Sequence, residues 1–299
     1  MEPTSAHIDE RSPLAPTIQL WRVYLEDQGN SIHTVKAFSH DLNLLAGYLP
    51  LDRSIGAITT QDLQLFLEWL QHGRGVPCSP KTLSRRITAL KSFFHWLQQY
   101  GALTVDPAEK LVQKTVISPL AQVLTPDEVA RVREVAADLR RGAKPDARPW
   151  LLLDLLLTTA IKKGETVGIQ LNHLELEDPE EPTLFVRYAS PSYRFKERKI
   201  PLSPEWPAAL AEYRAQYEIS EQLFPWSQRR LEYLLEDLGQ AAGLEKHLSF
   251  DMCRWTSALT DWQNGVDPTA IRQKLGISKI QWREVSAKLR RLAEEAAPA

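Results

Sequence analysis

Residues 147–160, ARPWLLLDLLLTTA, limit the possible folds more than any other stretch. At helical spacing their side chains are apolar around nearly the whole circumference, and such a helix has to be buried. The run falls well short of the roughly 20 residues that span a bilayer, so the cover must come from the protein itself. A chain of 299 residues can supply it, with room for two ordinary domains and not for three.

Helical periodicity dominates the rest. Ile18, Trp21 and Leu25, flanked by Leu20 and Tyr24, form one stripe; after the turn DQGNS, Val35, Phe38, Leu42 and Leu45 recur at helical spacing. ITTQDLQLFLEWL reads as a third helix, opened by Thr59 or Thr60 with an acidic first turn. Ser79 caps a fourth, with Pro80 where its missing N–H costs nothing, and Gly101 stops it. DPAEKLVQKTVISPLAQV is a Pro-punctuated connector. LTPDEV then opens a second domain, with Thr125 as cap, Pro126 first in the helix and Glu128 completing a capping box. TLFVRY and RFKERKIPL are strand-like and are joined by ASPSY as a β-hairpin. Helices follow over Ser203–Tyr217, Gln228–Gly243 and DPTAIRQKLG, the last with Asp267 as cap, and REVSAKLRRLAEEA is amphipathic. The predicted fold class is mainly α with a small β-hairpin or sheet (α+β). Its parts are a flexible tail over 1–16, a helical domain over 17–105, a linker over 106–123 and a second domain over 124–299. The opening MEPTSAHIDERSPLAP is polar and Pro-rich, unlike a signal peptide.

A net charge of −2 and a pI near 6.4 argue against a uniformly basic nucleic-acid binder. The charge is segregated, however. Lys81, Arg85, Arg86 and Lys91 lie in an acid-free run, residues 187–199 hold five bases and one acid, and Glu175, Glu177, Asp178, Glu180 and Glu181 crowd one loop. On the fourth helix Leu83, Ile87, Leu90, Phe94 and Leu97 line one face, with Lys81, Arg85, Thr88, Ser92 and His95 opposite. That second face is either an ordinary solvated one or one that tracks phosphates. Two cysteines, Cys78 and Cys253, fit neither a disulfide framework nor a metal site and imply reduced thiols in the cytoplasm. His33, His40 and His247 lack paired ligand spacing, and no phosphate-cradling glycine loop is present. No metal, cofactor or membrane association is expected. Trp255, Trp262 and Trp282 sit at apolar spacing and read as core.

This order of elements resembles the tyrosine recombinase (phage integrase, Xer-like) family over roughly Thr17–Arg291. SIHTVKAFSHDLNLLAGYL, ITTQDLQLFLEWL and SPKTLSRRITALKSFFHWLQQYGALTVDPAEKL look like its helical, SAM-like core-binding domain. LLLTTAIKKGETVGIQLNHLEL resembles the segment TGLRxxELxxLxxxDI of its catalytic-type domain, and FKERKIPLS resembles the lysine hairpin. LSFDMCRWTSALTDWQNGVDPTAIRQKLGIS is similar to HxLRHTxAxxLxxxGxxxxxIxxxLGHxS.

The resemblance implies a tyrosine that attacks a DNA phosphodiester, two arginines and a histidine or tryptophan on the phosphate oxygens, and a lysine acid for the leaving oxygen. Carried over position by position, the set is degenerate. Lys162 replaces the first arginine, which keeps the charge but loses the bidentate fork. Tyr193 stands at the hairpin lysine, where Lys196 or Lys199 compensates. Asp251 replaces the first histidine, Arg254 is retained, Ile277 replaces the LGH histidine and Ser286 falls at the nucleophile. The last tyrosine in the chain is Tyr233, far upstream. The expectation is a pseudoenzyme that binds double-stranded DNA, with Asp251 salt-bridged to Arg254. Lys162 and Lys163 are alternatively ordinary surface lysines. The implied contacts are Ser31, His33, Thr34, Lys36, Lys81, Arg85, Arg86, Lys91, Lys162, Lys196, Arg198 and Arg254. The expected setting is a cytoplasmic, nucleoid-associated accessory or target-site factor in recombination, integration or transposition. The alternative is an interaction subunit whose C-terminal helix docks on an active recombinase or transposase, or on a second copy.

Overall fold

The computed structural model describes residues 8–76, 78–114, 119–178 and 180–296. It divides into two compact units, Met1–Ser118 and Pro119–Ala299.

The first unit contains α1 (Leu14–Asp27), α2 (Ile32–Tyr48), α3 (Thr60–Glu68) and α4 (Pro80–Gln99). Each anticipated stripe is the buried one: Ile18, Trp21, Leu42, Leu45, Leu63, Phe66, Phe94 and Leu97 share a single core. Trp21 anchors it, parallel to Phe38 at 6.1 Å and edge-on to Phe93 at 5.4 Å. The caps are those the sequence marks. Ser31 accepts from the Thr34 N–H, Thr59 forms a capping box with Asp62, and Ser79 accepts from the Thr82 N–H. Ser79→Ala is expected to lower stability by about 1 kcal/mol and Ser79→Gly by only a few tenths, read as shifts in the urea midpoint.

Two expectations change here. Residues 8–16 are not a loose tail. Ile8 is buried in the core, Pro13 bridges Ser54, and α1 already starts at Leu14. Apolar contacts made by Ile8 and Leu14 offset the ordering entropy that the Pro-rich composition suggested would dominate. Residues 1–7 of that tail lie outside the described residues. The linker also folds back on its own unit: Thr60 donates to the Pro107 carbonyl, Lys91 to that of Glu109, and the Gln113 amide to Ser84 and Thr88. Linker residues 115–118 lie outside the described residues.

The second unit is assembled around the apolar helix. It contains α5 (Pro126–Arg141), α6 (Arg148–Thr159), α7 (Lys163–Val167), α8 (Trp206–Gln216), α9 (Gln228–Ala241), α10 (Phe250–Gln263), α11 (Pro268–Lys274) and α12 (Lys279–Ala296). Residues Pro149–Leu157 of α6 are buried without a break, covered by α5, α8, α9, α10 and strand Arg198–Pro201. The one carboxylate in that run, Asp154, is satisfied by Arg133 at 3.1 Å and the Ser203 hydroxyl at 2.7 Å. Burial of a charged group is tolerated on those terms. The helix ends at Ala160 with φ +52°, a left-handed conformation costly for a residue with a Cβ.

Three short antiparallel strands, β1 (Leu174–Glu175), β2 (Thr183–Val186) and β3 (Arg198–Pro201), pair in the order β1-β2-β3. Leu184, Val186 and Ile200 face the core, while Phe185 and its partner Lys199 face outward. The strand expected over RFKERKIPL begins only at Arg198, because residues 191–196 wind into a 3-10 turn. Trp255, Trp262 and Trp282 pack with Leu289 and Leu292 in the core joining α10, α11 and α12. Among the described residues no helix is long and apolar enough to cross a membrane.

Candidate functional site

In the second unit, β3, the start of α7 and the segment after β2 converge on the Glu165 carboxylate. It accepts from Arg198 at 2.9 and 3.1 Å, from the Lys162 backbone N–H at 2.8 Å and from the Tyr188 hydroxyl. Burial alone would raise its pKa. The Arg198 hydrogen bonds and charge, with the other donors, instead hold it down at about 2. Arg198 is correspondingly committed, its Nε donating to the Lys274 carbonyl at 2.7 Å and Nη1 also to that of Lys196 at 3.1 Å. Every nitrogen of the guanidinium is occupied by protein. Arg198, expected on DNA, is an internal strut.

Arg254 is held by two backbone carbonyls. Nη1 donates to the Ala160 carbonyl at the left-handed end of α6, and Nη2 to the Leu275 carbonyl at 2.6 Å. Burial, with Arg198 nearby, pushes its pKa down to about 10 against the opposing pull of Glu165. The expected ion pair with Asp251 does not form. Asp251 is exposed in the first turn of α10 beneath the Ser249 cap, where a carboxylate complements the positive end of the helix.

Lys162 remains partly open. Its Nζ lies 3.3 Å from the Gly276 carbonyl and 4.0 Å from Glu165. Burial and the neighbouring Arg254, Lys196 and Arg198 push its pKa down to about 8, with Glu165 opposing. It is therefore not an ordinary surface lysine, whereas Lys163 simply pairs with Glu232 at 2.7 Å. Lys162, Lys163, Glu232, His247, Asp251 and Arg254 line one shallow cleft. The two candidate hairpin lysines have different surroundings. The charge of Lys196 contributes to lowering the Lys162 pKa, while Lys199 pairs with Glu175 at 2.7 Å across the outer face of the sheet. Tyr193 supplies a ring beneath Lys196, 4.5 Å from its Nζ.

Ile277 packs into the α10–α12 core and offers only its backbone, the carbonyl accepting from the Arg272 side chain at 3.3 Å and the N–H donating to the Arg272 carbonyl at 3.4 Å. Ser286 lies within α12, and its hydroxyl donates to the Arg283 carbonyl at 3.2 Å. That helix packs on its own unit through Leu289 and Leu292.

The first unit sorts its cations by a residue the sequence reading passed over. Asp41 is buried between α2 and α4, 2.9 Å from Arg85 and 3.4 Å from Arg86. Burial raises its pKa against the pull of both arginines. Arg86 is only 7% exposed and also reaches the Cys78 sulfur at 3.2 Å, so it belongs to the core and not to a phosphate-facing surface. Arg85 is half-engaged. Ser31 and Thr34 hydrogen-bond to each other at the start of α2, and Lys91 is turned onto Glu109. His33, Lys36 and Lys81 are exposed. The signal for Asp41 was present: it falls in phase with Phe38, Leu42 and Leu45, where a charge needs a buried partner.

Comparison with known proteins agrees with this architecture. Residues 18–101 match the phage integrase N-terminal SAM-like domain. Tyrosine recombinase XerC of Xanthomonas campestris pv. campestris (strain B100) is 28% identical over 260 residues, covering 84% of this chain and 76% of the relative. Tyrosine recombinase XerD of Listeria innocua serovar 6a is 22% identical, covering 87% and 89%. In fold, the chain is similar to the XerH site-specific recombinase in its post-cleavage complex with palindromic difH substrate. That match has a TM-score of 0.70 at 20% identity, over 94% of this chain and 83% of the other. It is also similar to a lambda integrase dimer bound to a COC' core site, with a TM-score of 0.68 at 16% identity over 91% and 77%. A helical SAM-like unit followed by a helical unit with a small antiparallel sheet defines the class. The first unit matches the phage integrase SAM-like domain, and over most of its length the chain is similar to tyrosine recombinases.

Proposed function

We propose that this protein binds duplex DNA without cutting it and serves as an accessory or target-site factor in recombination, integration or transposition. One observation carries the reading. Arg198 spends its donors on Glu165 and on backbone carbonyls, Arg254 gives one N–H from each Nη to a backbone carbonyl, and no tyrosine follows Tyr233. Removing one good oxyanion donor typically costs about 10²–10³ in rate, and here Arg198 is fully committed inside the protein while the position of the nucleophile holds a serine. Ser286 is a poor substitute, since a serine hydroxyl needs an adjacent base and this one is bonded to its own helix. The XerH and lambda integrase structures are DNA complexes, which favours DNA as the ligand of the exposed cations on α2 and α4.

The test uses nicked suicide duplexes that trap covalent protein–DNA adducts. The expected result is a shifted complex in native gels and no adduct after denaturation. An adduct lost on Ser286→Ala would overturn the non-cutting half of the proposal.

A further inference from the structure

We propose that the turn between β2 and β3 is a stacking site for an unpaired nucleobase, with the Phe195 ring as its platform. The inference rests on the DNA-binding reading above and specifies which feature of DNA this part of the protein recognises.

Phe195 is 73% exposed, the most exposed aromatic side chain among the described residues. Single exposed apolar residues are common and need no explanation, but this ring has an unusual setting. The Lys196 ammonium lies 5.3 Å from its centroid and 4.5 Å from that of Tyr193, so one cation serves two rings. The pattern repeats on the outer face of the sheet, where Arg187 lies 4.8 Å and Lys199 5.9 Å from the Phe185 ring. Residues 187–199 hold five bases and one acid. That acid, Glu197, is turned inward to accept from the Tyr188 backbone N–H at 3.0 Å. Rings interleaved with cations are how sequence-tolerant single-strand binders hold bases and phosphates together.

A protein partner fits this surface poorly. The apolar area is a few rings set among lysines and arginines, whereas the centre of a protein interface is depleted of lysine and of charge. Intact duplex fits only in part. Its phosphates satisfy Arg194 and Lys196, but its base faces are already stacked on one another. A face becomes available to Phe195 only where a base is unpaired or displaced, as at a gap, a bulge or a melted step. The site therefore distinguishes distorted from regular DNA, and it does so by stacking and not by reading sequence.

The experiment compares the full chain on two DNAs, a paired duplex and the same duplex with a two-nucleotide gap facing a 2-aminopurine. Affinity is read by anisotropy and stacking by quenching of the 2-aminopurine. The unaltered protein is expected to bind the gapped DNA about tenfold more tightly and to quench the probe, the scale of one aromatic–base stack. Phe195→Ala is expected to lose both effects while keeping its duplex affinity and its thermal midpoint, and Phe195→Trp to retain both. Equal affinity of the unaltered protein for the two DNAs, or a gap preference that survives Phe195→Ala, overturns the inference and leaves duplex binding intact. Failure to bind either DNA sinks the inference together with the DNA-binding reading.

Discussion

Glu165→Ala is expected to cost about 3–5 kcal/mol of stability, as removal of one member of a buried ion pair does. The Glu165 side chain is 3% exposed and that of Arg198 9%, so solvent does not compensate. The substitution strands a buried guanidinium and leaves the Lys162 N–H and the Tyr188 hydroxyl without their acceptor. Urea unfolding followed by tryptophan fluorescence measures the loss. Removing the partner as well, in Glu165→Ala with Arg198→Ala, is expected to recover part of it, because the uncompensated charge disappears.

The same carboxylate sets an acid limit. Its pKa falls from an ordinary 4.5 to about 2 on folding. A depressed carboxylate stabilises the folded state above its unfolded pKa, and that contribution is lost as pH falls through the folded one. About 3 kcal/mol is therefore present above pH 4.5 and disappears progressively toward pH 2. Glu165→Ala should show a correspondingly flatter decline of its midpoint over that window. An unchanged acid profile in the variant would remove Glu165 from the account.

The second large effect concerns DNA. Lys36→Glu with Lys81→Glu is expected to weaken duplex binding at least tenfold at moderate salt, and to make the dependence of log K on log salt shallower by about one unit for each lysine. Both side chains are exposed at the start of their helices, so the fold should be untouched and the far-ultraviolet circular dichroism unchanged. Reversing Arg85 and Arg86 together is a worse test. Arg86 lies in the core against Asp41, and its reversal would place two buried carboxylates side by side and unfold the unit. Binding that persists after Lys36 and Lys81 are reversed would move the DNA contact away from α2 and α4.

Much of the fold is legible in order along the chain. Thr125-Pro126 with Glu128 and Ser79-Pro80 mark helix starts that the structure reproduces, because a cap depends on the few residues around it. The hairpin was legible only in outline. FKERKIPL carries a strand-like pattern from Arg198 onward, but the 3-10 turn over 191–196 depends on how its rings and cations settle against each other. The site was legible as a list of positions and not as a set of roles. Sequence placed Asp251 next to Arg254; the structure turns Asp251 to the helix start and Arg254 to the carbonyls of Ala160 and Leu275.

The helix positions, the burial of α6 and the lack of any tyrosine beyond Tyr233 can be read from the residues alone. Each depends on periodicity, composition or simple presence, which survive without knowledge of the neighbours. Which positive charges face outward depends on contacts between distant segments. Lys81 and Arg86 share one basic run, yet the first is exposed and the second is buried against Asp41, which comes from another helix. Arg198 likewise meets Glu165 across more than thirty intervening positions. An arginine's partner is chosen by long-range packing and by the cost of leaving a charge dry, and neither is written in the residues beside it.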